Sequence, residues 1–450
     1  MGATETLARF IADLRYDDLP PTAVEAAKVA IMDGVANMLA GSTQPLAGIM
    51  GEYVRAMGGT PSCSLVGWGF KTNAPSAALA NGVFGHCLDF EIQGFPPTHG
   101  TSSCLPAALA LGEELGVSGK TIIEGYVVGW EVQGRMRAAS AQGGGNSGWH
   151  PPGQVGPLGG AAASAKVLGL DLHQTRLALG IAASRTGGLT ANTGTMVKST
   201  HPGNAARMGA EAAILARAGF TSNEDILEAP NGYATALFGD NIDWNVLTSE
   251  LGETYRLVHP GFDIKRFPAQ ITMQRPIEAV LNLRQKHGLS GDMVESITME
   301  MRGRGHSGAM PNTGLDGKFS IEYCAAAALL DGWVGIETFT DARRFSPDME
   351  EILPMVRVLP QGGEFEANMV KVTARLKDGR TVEEECRSFR GSAQDPMSEE
   401  ERLGKFRECA RRVLSAEDLE RLIETLQGLE SLANVSSLMS VLTQKPAAQV

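Results

Sequence analysis

Apolar residues recur at three- and four-residue spacing through most of the first 260 positions. The runs PTAVEAAKVAIMDGVANMLAG, CLPAALALGEELGVSG, KTIIEGYVVGWEVQGRMRAAS, GPLGGAAASAKVLG and DLHQTRLALGIAASR all carry this period. It predicts amphipathic helices joined by Gly- and Pro-rich loops. No strand alternation in this half is strong enough for a βαβ unit. The Gly-Gly of PLGGAAASAKVLG is therefore not a dinucleotide fingerprint, since no strand precedes it and the glycine spacing is wrong.

The pattern changes after about residue 262. AQITMQRPIEAVLNLRQKHGLS predicts a helix, with Pro276 a possible break or kink in its first turn. DMVESITMEMR alternates as a strand does, and ANMVKVTARLKDGRTVEEECR is two alternating runs around Asp378-Gly379, a hairpin signal. FSIEYCAAAALLDG predicts a small-residue helix between them. SEEERLGKFRECARRVL and SAEDLERLIETLQGLE return to amphipathic helices with Ser N-caps, and MSVLTQKPAAQV is expected as a loose tail. The expected organisation is a mainly α protein in three stretches. Residues 1–262 form a large helical domain, 263–396 an inserted smaller α+β lid, and 397–450 C-terminal helices that rejoin the helical domain.

Composition narrows the function. The chain has 450 residues, is 43% hydrophobic and 20% charged, and holds 54 glycines, as suits a globular enzyme with closely packed helices. A net charge of −12 argues against nucleic acid or an anionic membrane as partner. It also means that an acidic substrate must be drawn in by a few placed cations. Six scattered cysteines, with no C-x-x-C pair, fit reduced thiols in a cytoplasm. The N-terminal MGATETLARFIADLRYDD is amphipathic and carries acids, unlike a signal peptide, and no apolar run is long enough to span a membrane.

Four polar clusters interrupt this background. GHCLDFEIQGFPPTHGTSS carries His86, Asp89, Glu91 and His99, and its Gly-Thr-Ser-Ser end can cap a helix and present N–H groups to an anion. SGWHPPGQVG places His150 on a Gly-Pro loop. NTGTMVKSTHPGNAARMGAEAA sets Lys198 and His201 just before a helix, with Pro202 suited to its first position and small residues behind it. An ammonium beside a helix N-terminus can hold a carboxylate; an exposed lysine and a capping histidine are the alternative. The fourth cluster joins KRFPAQITMQR, with Lys265 and Gln274, to KFSIEY, with Lys318 and Tyr323. No metal-ligand, P-loop or nucleophile-elbow pattern is present, so no metal is expected.

In this order the clusters resemble the MmgE/PrpD family, which includes 2-methylcitrate dehydratase, cis-aconitate decarboxylase and iminodisuccinate epimerase. The specific parts are GT-x-x-K-x-x-H-x-G-x-A-A and KFS-x-x-Y. The resemblance implies an active site in the cleft between helical domain and lid, no metal or organic cofactor, and a homodimer. It implies Asp89, His99, Lys198 and Tyr323 as catalytic residues and His150, His201 and Lys265 as pocket residues. Two positions depart from the pattern: Gln93 replaces a common Thr, and Gln274 replaces a common His, so a titrating group is lost there. Both glutamines are expected to contact substrate. The implied function is a cytoplasmic, cofactor-independent lyase, a dehydratase or decarboxylase that moves a proton at carbon next to a carboxylate of a small di- or tricarboxylate. An epimerase of a dicarboxylate, or a pocket-retaining protein without turnover, are the alternatives.

Overall fold

The structure is a computed structural model describing residues 2–141, 148–239, 241–303 and 305–445. It is mainly α, with a small sheet domain. Among the described residues no helix is long and apolar enough to cross a membrane. All six cysteines are free and buried.

The helical part is built on small residues. Helices Ala74–Cys87, Thr101–Leu115, Pro151–Leu168 and Val197–Arg217 pack closely enough that side chains larger than Gly are excluded at their crossings. A Cβ on Gly82 would stand 2.8 Å from the Gly203 Cα and 2.9 Å from the Ser102 carbonyl. Gly160 meets Ala205 and Gly209 in the same way. These contacts fix the helices' register, and so the height of every polar residue at their ends.

Helix Val197–Arg217 begins five residues before Pro202, so Lys198 lies in its first turn and Pro202 lies inside it. Successive turns over Asn192–Ser199 start the helix early. Pro202 then leaves only the Lys198 carbonyl without its i+4 donor, which is tolerated near a helix start. Pro276 likewise breaks nothing: it is the third residue of helix Gln274–His287, where its missing N–H has no intrahelical partner to lose.

The second apolar cluster is separate and runs from Phe267 to Cys386. Its sheet has strand order Val356–Pro360, Val294–Met301, Val370–Leu376, Thr381–Cys386. The hairpin turns at Gly379, whose φ of 89° needs glycine. Strand Val356–Pro360 is not predicted by the sequence, because VRVLP is short and pairs in parallel with residues some sixty positions earlier. Helices Gln274–His287 and Ile321–Asp331 cover the sheet's buried face.

Buried side chains from Met397 to Leu442 belong to the first, helical cluster. Part of the expected loose tail is ordered: helix Ser436–Leu442 buries Met439 and Leu442, while 446–450 lie outside the described residues. A two-residue ladder, Gln93–Gly94 with Phe262–Asp263, ties the loop after Cys87 to the segment that enters the second cluster.

Candidate active site

Helix Ala74–Cys87, capped by the Asn73 side chain on the Ser76 N–H, delivers His86 in its last turn. The chain leaves that helix through Asp89 at φ 51°, a left-handed conformation that Asp tolerates better than most residues. The loop then turns Asp89 and Glu91 inward, and both are buried. The Gln93–Asp263 pairing brings Lys265 opposite this loop.

Asp89 carries two ammonium groups. Lys198 Nζ is 2.5 Å from Oδ2, and Lys265 pairs with Oδ1 while also donating to the Asp89 carbonyl at 2.9 Å. Lys198 Nζ also lies 2.9 Å from His86 Nε2. That contact makes Nε2 the acceptor, so the His86 proton sits on Nδ1 and is donated to Glu91 Oε1 at 2.6 Å. Glu91 further accepts from the Ser102 N–H at 2.9 Å and its hydroxyl at 2.7 Å. The helix N-terminus predicted to receive an anion thus receives the chain's own carboxylate. His99 Nδ1 lies 3.1 Å from the same Oε1, out of line for a hydrogen bond. The His86 and His99 rings meet edge to face at 4.4 Å. His150, at the N-cap of helix Pro151–Leu168, places its Nδ1 3.0 Å from His201 Nδ1.

The electrostatics follow from this packing. Burial alone would raise the Asp89 pKa, but Lys198 and Lys265 hold it well below the usual carboxylate range. Burial would also raise Glu91, and the hydrogen bond from His86 holds it down instead, with His99 acting in the same sense. Burial, and then the Lys198 charge, lower His86 to about 3 and push His150 and His201 down too. Burial and Lys265 lower His99. All four imidazoles are therefore neutral near pH 7. Burial lowers Lys198 despite Asp89, and it brings Lys318 down to about 8.

The structure gathers Asp89, His99, Lys198, Lys265, His150 and His201 into one buried cluster. Two expected residues turn their polar atoms to other partners. The Tyr323 hydroxyl points into the sheet domain's core and donates to the Thr338 carbonyl. The small residue Gly317 lets the Tyr323 ring turn that way, for a Cβ there would strike it. Gln274 is a backbone clasp: its amide accepts from the Arg266 and Phe267 N–H groups at 3.0 and 3.1 Å and donates to the Phe267 and Ala269 carbonyls at 3.0 and 3.1 Å. With all these positions filled it has nothing left for substrate, and it shapes the loop after Lys265. Gln93 is buried within the short ladder.

Three residues outside the expected site set join the cluster, and His306 feels its charges. His86 and Glu91 form its central hydrogen-bonded pair, legible only once the loop's reversal is known. Lys318 donates to the Cys87 carbonyl at 3.0 Å and feels Asp89, Lys198 and Lys265. His306 is exposed by surface area, yet shielded enough that its pKa is lowered, with Lys198 acting in the same sense and Asp89 against it. Its neighbour Ser307 pairs with the Phe319 backbone, and the Phe319 ring lies 5.2 Å from Lys198 Nζ.

His86, His99 and His150 offer ligand atoms within 4.8 Å of one another, a spacing a metal ion could draw together. The donor set does not suit one. The Lys198 ammonium occupies His86 Nε2, and Lys265 and Lys318 would face a dication at short range. The same excess of positive charge suits an anion: three buried ammonium groups stand against two carboxylates.

The chain is 31% identical to a human cis-aconitate decarboxylase, covering 98% of this chain and 94% of that one. It is 30% identical to the mouse cis-aconitate decarboxylase, over 98% and 93%, and 28% identical to one from Aspergillus terreus, over 98% and 96%. The MmgE/PrpD N-terminal domain matches residues 5–245 and the MmgE/PrpD C-terminal domain residues 267–431. A cluster of lysines, histidines and one doubly paired aspartate, held where glycine-packed helices meet a small sheet domain, is thus how this chain is built as a member of the MmgE/PrpD family.

Proposed function

We propose that the protein is a lyase that decarboxylates a small unsaturated tricarboxylate, with cis-aconitate as the first candidate. The observation that carries this reading is the charge imbalance among Lys198, Lys265, Lys318, Asp89 and Glu91, joined to relatives named for that activity. In such a reaction the bond from the methylene carbon to its carboxylate breaks and carbon dioxide leaves. The freed pair forms a new double bond to the central carbon, and the old double bond's pair takes a proton at its far carbon. One proton is consumed and no electrons are exchanged.

Negative charge builds on the substrate as carbon dioxide departs. Lys198 and Lys265, fixed by Asp89, can stabilise it without reorganising. The proton falls to His99, whose Nδ1 lies 3.1 Å from Glu91 Oε1. Burial and Lys265 keep His99 neutral. A bound polyanion would offset that repulsion and raise the imidazole's pKa, so substrate arrival itself would load the proton. His306, whose pKa responds to Lys198 and Asp89, is the second candidate. The homodimer implied by the family resemblance is part of this reading.

The test is proton NMR of cis-aconitate with purified protein in deuterated water. Decarboxylation predicts loss of the vinyl signal, a new terminal methylene pair, and one deuteron at the saturated carbon. Hydration products without carbon dioxide, or exchange without net reaction, would overturn the reading.

A further inference from the structure

The loop that carries Asp89 and Glu91 is clasped from behind. Asp33, on helix Pro21–Gly41, and Lys405, on helix Glu399–Ala410, form a buried ion pair at 2.6 Å. Lys405 Nζ donates to the Phe90 carbonyl at 2.7 Å and sits 3.9 Å from the centre of the Phe90 ring. Asp33 Oδ2 accepts from the Ile92 N–H at 3.1 Å and from Asn37 Nδ2 at 3.0 Å. The Phe90 carbonyl and the Ile92 N–H belong to the two peptide groups flanking Glu91. One ion pair therefore holds both of Glu91's peptide bonds, and Glu91 in turn orients His86 and lies beside His99.

We propose that Asp33 and Lys405 are positioning residues for the reaction, acting through Glu91 to set the tautomer and direction of the two imidazoles. A purely structural ion pair between these helices would not need both peptide groups of one active-site residue. The pair is also reachable: with Lys28, Met32 and Phe406 it lines a cleft of about 260 Å³. The proposal rests on the decarboxylase reading for its kinetic arm only.

The cleft supplies the experiment. Lys405→Ala opens a hole into it, and kcat is expected to fall by about ten- to a hundredfold with KM within about threefold, the usual scale for groups that orient others. Millimolar propylammonium is expected to restore part of kcat, whereas propanol, of similar size but neutral, is not. Lys405→Arg is expected to recover more activity than Lys405→Ala, and Lys28→Ala, on the same cleft, to match the parent. Should Lys405→Ala fail to fold, the double variant Asp33→Asn/Lys405→Met removes both charges while keeping an acceptor for Ile92.

The second readout needs no turnover. In ¹⁵N-histidine-labelled protein the imidazole resonances of His86 and His99, assigned by substitution, are expected to shift in these variants. Shifted resonances in a protein inactive on cis-aconitate would support the clasp and defeat the decarboxylase reading alone. Unmoved resonances, or a kcat per folded molecule within twofold of the parent, would overturn the clasp.

Discussion

Lys198 Nζ and Asp89 Oδ2 lie 2.5 Å apart, joining residues 109 positions apart in the chain. Asp89 takes Lys265 on its other oxygen, so the aspartate fixes two cations without neutralising the cluster. The lysines are thereby preorganised: their positions do not depend on substrate, and their charge is only partly spent on Asp89. Lys198→Ala is expected to lower kcat/KM for cis-aconitate by about a hundred- to a thousandfold. A Lys198→Ala enzyme within fivefold of the parent would remove the clamp from the mechanism.

Acid should unfold the protein early. The folded pKa values of His86, His99 and His150 all lie below the ordinary imidazole value. The unfolded chain therefore binds more protons as pH falls through 6.5. The stability these neutral imidazoles contribute is complete above that pH and is lost progressively toward about 3 for His86. Each contributes a slope of up to ~1.4 kcal/mol per pH unit in that window. Calorimetric Tm is expected to drop steeply between pH 6.5 and 5; a flat profile would contradict neutral burial.

Activity should also fall on the alkaline side. Lys318 titrates near 8 because it is buried, so its ammonium is lost as pH rises through that value. KM for a tricarboxylate is expected to rise above about pH 8, and Lys318→Arg, which stays charged, to move that limb upward. Steady-state kinetics from pH 7 to 9.5 measure both; a limb unchanged in Lys318→Arg would clear Lys318.

Tyr323 should matter less to the reaction than the family resemblance implies, and His306 should matter. Tyr323→Phe removes only a hydrogen bond to the Thr338 carbonyl inside the sheet domain, so a loss of about 1 kcal/mol in stability with nearly normal kcat is expected. His306→Gln is expected to change the pH–rate profile with little change in Tm, since His306 is coupled to Lys198 and Asp89. Urea titrations and pH profiles of the two variants separate these outcomes.

The glycine crossings predict a contrast between two Gly→Ala changes. Gly82→Ala drives a methyl into the Gly203 backbone and is expected to destabilise by about 1–3 kcal/mol, or more if the helices cannot separate. Gly48→Ala, in helix Pro45–Met57 with open space around it, is expected to stabilise by about 0.5–1 kcal/mol. Denaturant midpoints measure both.

The helices, the hairpin at Asp378-Gly379 and the family are legible in the sequence. Apolar period and turn chemistry are local properties, and the motif GTMVKSTHPGNAARMG is contiguous. Resemblance to the family also marked Lys198, His99, Asp89, His150, His201 and Lys265, which lie in Gly-, Pro- or Ala-rich segments. Tertiary structure alone decided what those groups do to one another. His86 and Glu91 became the central pair only when the left-handed turn at Asp89 folded the loop back. Tyr323 and Gln274 left the substrate cluster because rotamer and loop path, which no spacing encodes, gave their polar atoms nearer partners. The strand Val356–Pro360 and the clasp of Asp33 with Lys405 were illegible for the same reason: each joins segments far apart in the chain, and only packing brings them to hydrogen-bond distance.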